Sequence, residues 1–225
     1  MKTSIKDTLN LLTKRSSIAS DLPSFGRINI KELASKSIRM QDNFEEGPGV
    51  SPYHLYAFVS TLFNDSVILD VGSQYGNSAL ALSYNESNHV ISYEIDPWYS
   101  NEMIVDGTRV PASPRYHSKT RRDIDRSNIT WRDFDFRVDN DIDFNKIKII
   151  VIDIDPHGMK VAGKEEELRM IEHVLKKGWT GVIIIDDIYK NCQMEDFWNE
   201  LSIPGWIKID VSELGHSSGT GILYV

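Results

Sequence analysis

Several features that would define special classes of protein are missing from this sequence of 225 residues. Cys192 is the only cysteine, so no internal disulfide can form, and we expect a reducing, cytoplasmic environment. No stretch approaches the roughly 18 apolar residues of a membrane-spanning helix, and the first residues lack the apolar core of a secretory leader. We therefore expect no association with membranes.

Basic residues are also fewer than acidic residues. Lys and Arg number 25 against 33 Asp and Glu, which gives a formal net charge of -8. Nucleic-acid binding needs a basic surface that displaces counterions from phosphates, so we expect no nucleic-acid partner. The basic cluster 115-RYHSKTRR-122 fits either a solvated loop or a contact for an anionic substrate or partner.

Two glycine-rich phosphate-binding signatures are absent, G-x-G-x-x-G and G-x-x-x-x-G-K-[ST]. Their absence disfavours a dinucleotide or nucleoside triphosphate site. The stretch 66-SVILDVGSQYGNSALALS-83 instead contains an apolar strand that reaches Asp70, a turn with Gly72 and Gly76, and an apolar pattern of helical period. Glycine in such a turn permits positive φ and lets the backbone come close to a ligand.

Runs rich in Val and Ile recur along the chain and alternate with helical patterns. The predicted strands are 67–71, 90–95, 129–131, 147–154, 181–186, 206–211 and 219–225, and the predicted helices between them are 79–84, 165–177 and 194–201. This alternation predicts an α/β fold: a Rossmann-like, doubly wound, mostly parallel seven-stranded sheet. The last two strands are too close for a crossover helix, so we expect an antiparallel C-terminal hairpin at or near one sheet edge.

The first fifty or so residues contain no clear strand. Apolar spacing at 4–12 and 29–38 suggests helices, which either cap the sheet or join a partner subunit in a homodimer. We therefore divide the chain into an N-terminal segment, 1–50, and a main domain, 51–225.

Two loops lie beside the predicted sheet. In 46-EGPGVSPY-53, Ser51 is suited to the N-cap and Pro52 to the first position of a helix over 54–63. The polar stretch 99–128 shows little periodicity, and a loop of that length in a compact domain is usually functional or disordered.

An acid closes the second predicted strand: Glu94 lies 24 residues after Asp70. Such an acid can accept both hydroxyls of a ribose. An Asp-x-Gly-x-x-x-Gly turn followed by this acid resembles the class I S-adenosylmethionine-dependent methyltransferases, over roughly residues 50–225. The resemblance implies S-adenosylmethionine as cofactor, with the Gly72–Gly76 backbone around its methionine part, Asp70 near its amino group and Glu94 at its ribose. The cofactor-binding residues that it implies are Asp70, Gly72, Ser73, Gly76, Asn77, Ser78, Glu94, Asp133, Phe134 and Asp153.

The adenine contacts come from the third predicted strand. The family often has an acid there that meets the adenine amino group, so the resemblance implies Asp133 for this contact and Phe134 for packing on the ring. Asp135 is an equal candidate, and both acids also fit exposed turn residues.

Four carboxylates follow the fourth and fifth predicted strands: Asp153, Asp155, Asp186 and Asp187. Acids that converge on one crevice repel each other unless they are protonated, hydrogen-bonded or neutralised, and Mg²⁺ is the simplest neutraliser. The pattern is similar to the metal-dependent O-methyltransferases of the catechol type and their sugar-modifying relatives, which implies Asp153, Asp186 and Asp187 as metal ligands. Alternatively, these carboxylates cap nearby helices.

The resemblance leaves the general base open. The catechol enzymes carry a lysine shortly after the first metal ligand, whereas this chain has 155-DPHG-158. We predict His157 as the catalytic base because imidazole titrates near neutrality, with Asp155 as the second candidate. His157 also fits a surface histidine in a turn.

The resemblance implies O-methylation of a hydroxyl on a small molecule or a glycan sugar. We favour a sugar or another polyol over a catechol, because a vicinal diol chelates a metal in the same way and the polar loop has hydrogen-bonding side chains. Those side chains are Tyr116, His117, Lys119 and Arg121. The alternatives are a metal-independent methyltransferase and a nucleotide, nucleotide-sugar or NAD-linked protein on the same fold.

Overall fold

The computed structural model describes residues 4–12, 25–37, 41–94, 102–105, 108–111, 121–154 and 163–225. The strands are β1 (Val67–Val71), β2 (His89–Tyr93), β3 (Glu102–Val105), β4 (Thr108–Pro111), β5 (Ile129–Arg132), β6 (Ile147–Ile152), β7 (Val182–Asp186), β8 (Ile207–Asp210) and β9 (Thr220–Tyr224). The α-helices are α1 (Ile5–Leu11), α2 (Lys31–Ala34), α3 (Tyr53–Ser60), α4 (Asn77–Leu82), α5 (Gly163–Lys176) and α6 (Cys192–Glu200). Short 3-10 helices lie at Phe25–Arg27, Gln41–Phe44, Arg121–Asp123 and Phe136–Val138.

Seven strands form one sheet in the order β5-β2-β1-β6-β7-β9-β8. The pairs from β5 to β7 are parallel, and β9 runs antiparallel to both of its neighbours, β7 and β8. The predicted doubly wound, mostly parallel sheet with an antiparallel C-terminal hairpin is therefore confirmed. The hairpin does lie at one edge, because β8 is the last strand and β9 is inserted beside β7.

Both faces of the sheet are covered, which explains the continuous apolar runs. Successive residues of a strand point to opposite faces, so Ile68 belongs to one buried cluster and Leu69 to the other. Residues of α3, α4 and the N-terminal segment cover the first face, and residues of α5 and α6 cover the second. Among the described residues, no helix is long and apolar enough to span a membrane.

The N-terminal segment packs on the first face of the sheet. Leu9, Phe25, Leu33 and Phe44 are buried in the same cluster as α3 and α4, and the hydroxyl of Tyr224 at the end of β9 hydrogen-bonds to the side chain of Asn10. The described part of this segment is thus a cap. A domain boundary near residue 50 and a homodimer through this segment remain predictions.

Helix α3 begins one residue later than its capping pattern predicts. It starts at Tyr53 with Pro52 in the N-cap position, and no side chain caps it. The Ser51 hydroxyl is instead buried without a hydrogen-bond partner among the described residues. The prediction of Ser51 as the N-cap is therefore wrong, and its hydroxyl lies just ahead of a helix that borders the candidate site.

The predicted loop at 99–128 contains more structure than its polarity suggests. Strands β3 and β4 pair as an antiparallel hairpin, and Arg121–Asp123 forms a 3-10 helix. The two residues between β3 and β4 in the sequence are Asp106 and Gly107. Asp-Gly between apolar residues is a strong hairpin signal, and it was present in the sequence.

The contact between α6 and β9 gives a test of the packing on the second face. A Cβ atom added to Gly221 in β9 would lie 2.4 Å from the buried ring of Trp198, whereas one added to Gly47 would meet nothing within 4 Å. Gly221→Ala should lower the free energy of unfolding by about 1–3 kcal/mol through overpacking. Gly47→Ala should change it by about 0.5 kcal/mol or less. Urea denaturation of both variants measures the difference, and equal stabilities would contradict this packing.

Candidate active site

Asp70 lies at the centre of the carboxyl edge of the sheet and is fully buried. One carboxylate oxygen, Oδ2, accepts a hydrogen bond from the Ser92 hydroxyl at 2.9 Å. The other oxygen, Oδ1, has no partner among the described residues. Burial raises the pKa of Asp70 to about 6, against the opposing effects of Ser78, Ser92 and Arg121. A buried acceptor is therefore left open beside the glycine turn.

The two glycines of the turn are required by close packing. Gly72 has φ 93°, and a Cβ there would lie 1.8 Å from the backbone carbonyl oxygen of Asp153. Gly76 has φ 86°, and a Cβ there would lie 2.8 Å from the Trp131 ring. The turn thus lies directly against the ends of β5 and β6, and a larger residue at either position would displace it. Asn77 and Ser78, which begin α4, are buried behind it.

Glu94 follows β2 and reaches over the turn. Its Oε2 accepts a hydrogen bond from the backbone N–H of Gln74 at 2.5 Å. Gln74 itself adopts a positive φ of 44°. The acid predicted to bind a ribose therefore lies next to the residues predicted to hold the rest of the cofactor.

A buried arginine joins the turn to the end of β5. Arg121 is fully buried and donates to the Ser73 hydroxyl at 2.6 Å and to the Arg132 carbonyl at 3.0 Å. It also pairs with Asp133, and its guanidinium lies 5.4 Å from the centre of the Trp131 ring. The expectation that Arg121 offers hydrogen bonds to an acceptor from a polar loop is wrong, because its side chain is enclosed.

The predicted adenine contacts lie at the same place. Asp133 pairs with Arg122 as well as Arg121, and the alternative candidate, Asp135, pairs with Arg137. Phe134 is partly exposed and meets Tyr93 edge to face at 6.1 Å. Both acids thus have arginine partners, and their predicted contact with adenine remains a prediction.

Asp153 follows β6, and Asp186 and Asp187 lie at the end of β7, at the same edge of the sheet. Burial raises the pKa of Asp153 well above its usual range, and the negative charges of Asp186 and Asp187 raise it further. Asp187 has a positive φ of 59° directly after β7. A non-glycine residue in this conformation carries backbone strain, which is common at functional sites.

His216 is the residue of this site that the sequence reasoning missed. Its Nδ1 lies 3.4 Å from Oδ2 of Asp186 and 3.2 Å from Oδ1 of Asp187. Hydrogen bonds to Asp186 and then to Asp187 raise the pKa of His216 to about 10, against the effect of burial. One ligand atom from each of these three residues lies within 4.8 Å of the others. Asp153 is not a member of this cluster, although the positive charge of His216 acts on it.

The position of His216 follows from the pairing of β9 with β7. Asp186 is opposite Thr220 in the antiparallel register, so the residues just before β9 must lie at the carboxyl end of β7. The short loop of the predicted hairpin contains His216, so the position of this residue would follow from the sequence if the neighbour of β9 were known. The position of β9 beside β7 was not predicted from the sequence, and His216 was therefore missed.

Helix α3 and the loop before it lie over the same edge. The Tyr56 hydroxyl is fully buried and has no hydrogen-bond partner among the described residues. Burial raises its pKa, and the nearby charges of Asp186 and Asp153 add to the effect. The N–H of Gly49 donates to the Gly215 carbonyl at 3.1 Å, which joins this loop to the one that carries His216.

Some predicted residues cannot be placed. Asp155 and His157, the two candidates for the general base, lie outside the described residues, as do Tyr116, His117 and Lys119. Their roles remain predictions.

Solved structures with a similar fold are known. No protein-family model matches the sequence, and no curated protein matches it. An O-methyltransferase from Bacillus cereus, in complex with SAH, is 16% identical, with a TM-score of 0.52 over 96% of this chain and 100% of that chain. TomG, an O-methyltransferase from Streptomyces achromogenes in complex with SAM, is 11% identical, with a TM-score of 0.53 over 95% of this chain and 98% of that chain. An SAH-bound methyltransferase from Podospora anserina is 12% identical, with a TM-score of 0.51 over 97% and 94%.

This chain has the class I methyltransferase fold. Open α/β sheets bind ligands at the carboxyl ends of their strands, and in this class I methyltransferase fold that edge carries Asp70, Glu94 and the acidic cluster. The unpartnered polar atoms of Tyr56 and Asp70 belong to the same region of the molecule. The edge therefore has the chemistry of a ligand site, with buried acceptors and donors that the described residues do not satisfy.

The buried carboxylate of Asp70 should lower the stability of the ligand-free protein. Because its folded-state pKa is raised to about 6, its destabilising effect is absent at low pH and complete above that value. Asp70→Asn should therefore stabilise the ligand-free protein by about 1–3 kcal/mol at about pH 8, and the gain should shrink by about pH 5. Urea denaturation at both pH values measures it. Asp196, which is exposed on α6, is replaced in the same way as a control, and a pH-independent effect of Asp70→Asn would contradict the assignment.

The two arginines that share Asp133 form a matched pair, because Arg121 is fully buried and the side chain of Arg122 is 53% exposed. Arg121→Met should destabilise the protein by about 2–4 kcal/mol, since it removes the donor to the buried Ser73 hydroxyl and one partner of Asp133. Arg122→Met should cost about 0.5 kcal/mol or less. Thermal and urea unfolding measure the loss of stability in each variant. Equal losses would contradict the prediction that the burial of Arg121 makes its contacts more stabilising than those of Arg122.

Proposed function

We propose that this chain is an S-adenosylmethionine-dependent methyltransferase that acts on a hydroxyl of a small molecule or a glycan sugar. The observation that carries the proposal is the unpartnered, buried Oδ1 of Asp70 beside the glycine turn. It lies at the ligand-binding edge of a fold whose solved examples from Bacillus cereus, Streptomyces achromogenes and Podospora anserina were crystallised with SAH or SAM.

The residues present fit this cofactor. The ammonium of its methionine part is a donor that suits the open acceptor of Asp70, and an ion pair would offset the cost of burying that carboxylate. The turn from Gly72 to Gly76 offers backbone groups at close range, since neither glycine has a side chain in the way. Glu94 lies against this turn, where its carboxylate can accept ribose hydroxyls.

The reaction transfers a methyl group from the cofactor sulfonium to a substrate oxygen. The carbon–sulfur bond breaks as the carbon–oxygen bond forms, SAH leaves, and the hydroxyl proton passes to a base. The protein must therefore align the oxygen with the methyl group and accept the proton. We propose His157 for the base, with Asp155 as the second candidate.

The acidic edge would hold the hydroxyl. Asp153, Asp186 and Asp187 could bind a divalent cation, Mg²⁺ or another, which lowers the pKa of a bound hydroxyl and orients it. A vicinal diol presents two oxygens to such an ion, so a sugar or another polyol is the acceptor that we favour.

A metal-independent methyltransferase is the second candidate, and one observation favours it. His216 lies between Asp186 and Asp187, and Lys190 lies 3.5 Å from Oδ2 of Asp187. The chain thus supplies positive charge of its own to the acidic pair. In that case the pair would orient the acceptor by hydrogen bonds.

Calorimetric titration with SAH tests the proposal. The native protein should bind with micromolar affinity, and Glu94→Ala should weaken binding at least about tenfold, or about 1.4 kcal/mol. Glu94→Gln keeps an acceptor for the Gln74 N–H. Comparing its SAH affinity with that of Glu94→Ala therefore distinguishes the effect of the lost charge from the effect of the lost hydrogen bond to the turn. Glu172→Ala, on the exposed side of α5, is the matched control and should bind like the native protein.

Methyl transfer from radiolabelled cofactor is then measured on panels of polyols and catechols. Failure of the folded native protein to bind SAH would overturn the proposed function, whatever the acceptor panels show.

A further inference from the structure

We propose that Arg121 is a positioning residue of the cofactor site, which holds the glycine turn in the arrangement that binds the cofactor. The inference rests on the proposed function. Arg121 lies outside the set of cofactor-binding residues that the sequence implies, and its side chain is fully buried. It therefore acts through Ser73, the residue of the turn to which it bonds.

One guanidinium bonds to both the turn and the end of β5. Nη1 of Arg121 donates to the Ser73 hydroxyl at 2.6 Å. Nη2 donates to the Arg132 carbonyl at 3.0 Å and pairs with Asp133. A guanidinium can make such directed, charge-assisted bonds to several acceptors at once. The turn is therefore fixed relative to the strand whose end carries the predicted adenine contacts.

The Arg132 carbonyl extends this link to the predicted ribose acid. It also accepts the backbone N–H of Glu94, at 3.0 Å. The carboxylate of Glu94 accepts the N–H of Gln74, which follows Ser73 in the chain. These contacts form a closed ring, which runs from the turn through Arg121, Arg132 and Glu94 and back to the turn. Removal of one member should therefore loosen the positions of the others.

Packing leaves the side chain of Arg121 little freedom. A Cβ atom added to Gly76 would lie 3.1 Å from Cβ of Arg121, and the guanidinium lies 5.4 Å from the centre of the Trp131 ring. A site that is ordered before its ligand arrives loses less conformational entropy on binding. A lysine would keep the charge, but its single ammonium on a flexible chain lacks the planar fork. The affinity for the cofactor should therefore depend on the guanidinium and not on positive charge alone.

Arg126 offers a matched comparison, because it holds the other end of the same helix. Its side chain is only 9% exposed, and it pairs with Glu86 at 2.8 Å. It donates to the Ser83 carbonyl at 2.5 Å and to the Ser83 hydroxyl at 3.1 Å. Ser83 is the C-cap of α4, whereas Gly76, at the end of the turn, is its N-cap. The two arginines thus make similar bonds, and of the two only Arg121 bonds to the turn.

Calorimetric titration of SAH into the native full chain, Arg121→Lys and Arg126→Lys tests the proposal. Circular dichroism and urea denaturation first establish conditions under which each protein is folded. Arg121→Lys should weaken SAH binding at least about tenfold, and Arg126→Lys should change it by about twofold or less. Both variants lose hydrogen bonds of buried or nearly buried arginines, so a merely structural role predicts similar affinities for the two folded variants.

Ser73→Ala tests the route through the turn. It removes one acceptor of Arg121 and leaves the contacts with Arg132 and Asp133 in place. It should weaken SAH binding at least about threefold. In the double variant, Arg121→Lys should cost at least about threefold less affinity than it does alone, because residues that act through one contact have non-additive effects.

Native-like SAH affinity of Arg121→Lys or of Ser73→Ala, equal losses in the two arginine variants, or independent losses in the double variant would overturn the proposal. Because Ser73→Ala keeps the arginine, it provides a test even where Arg121→Lys does not fold. Each of these results, with a native protein that binds SAH, would leave the proposed function standing. Failure of the folded native protein to bind SAH would overturn the proposed function, and this inference with it.

Discussion

Parallel pairing of β1 with β2 and β6 is the constraint on which the site depends. In this register Asp70 is opposite Ser92 on one side and Val151 on the other, so three strands end at the same level. The acids that follow them meet at one edge as a consequence. Burying charge at a shared edge is costly unless each carboxylate is hydrogen-bonded or neutralised. The other residues of the site supply these hydrogen bonds and opposite charges.

The compensating charges come from segments that are distant in the sequence. Arg121 enters behind the glycine turn from the segment before β5, and His216 enters from the loop before β9. Arg121 bonds to Ser73 in the glycine turn and to Asp133 after β5. His216 lies against Asp186, the last residue of β7, and Asp187, the residue after it. The carboxyl edge thus has a few charge-assisted contacts between loops, supported by a sheet that is covered on both faces.

Much of the fold could be predicted, because apolar periodicity reports burial directly. Continuous Val and Ile runs predicted the central strands, and the short last connection predicted the antiparallel hairpin. The acids at 70 and 94 were identified by their positions at strand ends. The environment of individual polar residues could not be predicted. The sequence pattern places Arg121 in a basic loop and predicts Ser51 as a helix cap, whereas both side chains are buried. Their burial depends on contacts with β5, α4 and the sheet edge, which no local pattern records.

The sequence by itself determined the α/β class, the order of the seven strands of the main sheet along the chain, and the acidic residues available at the strand ends, because these depend on local periodicity and composition. Only the tertiary structure decided that β9 inserts beside β7 and brings His216 to Asp186 and Asp187, that Asp133 takes two arginines, and that Asp70 keeps an open acceptor. These features arise from pairing between segments far apart in the chain, where register and packing set the distances between side chains.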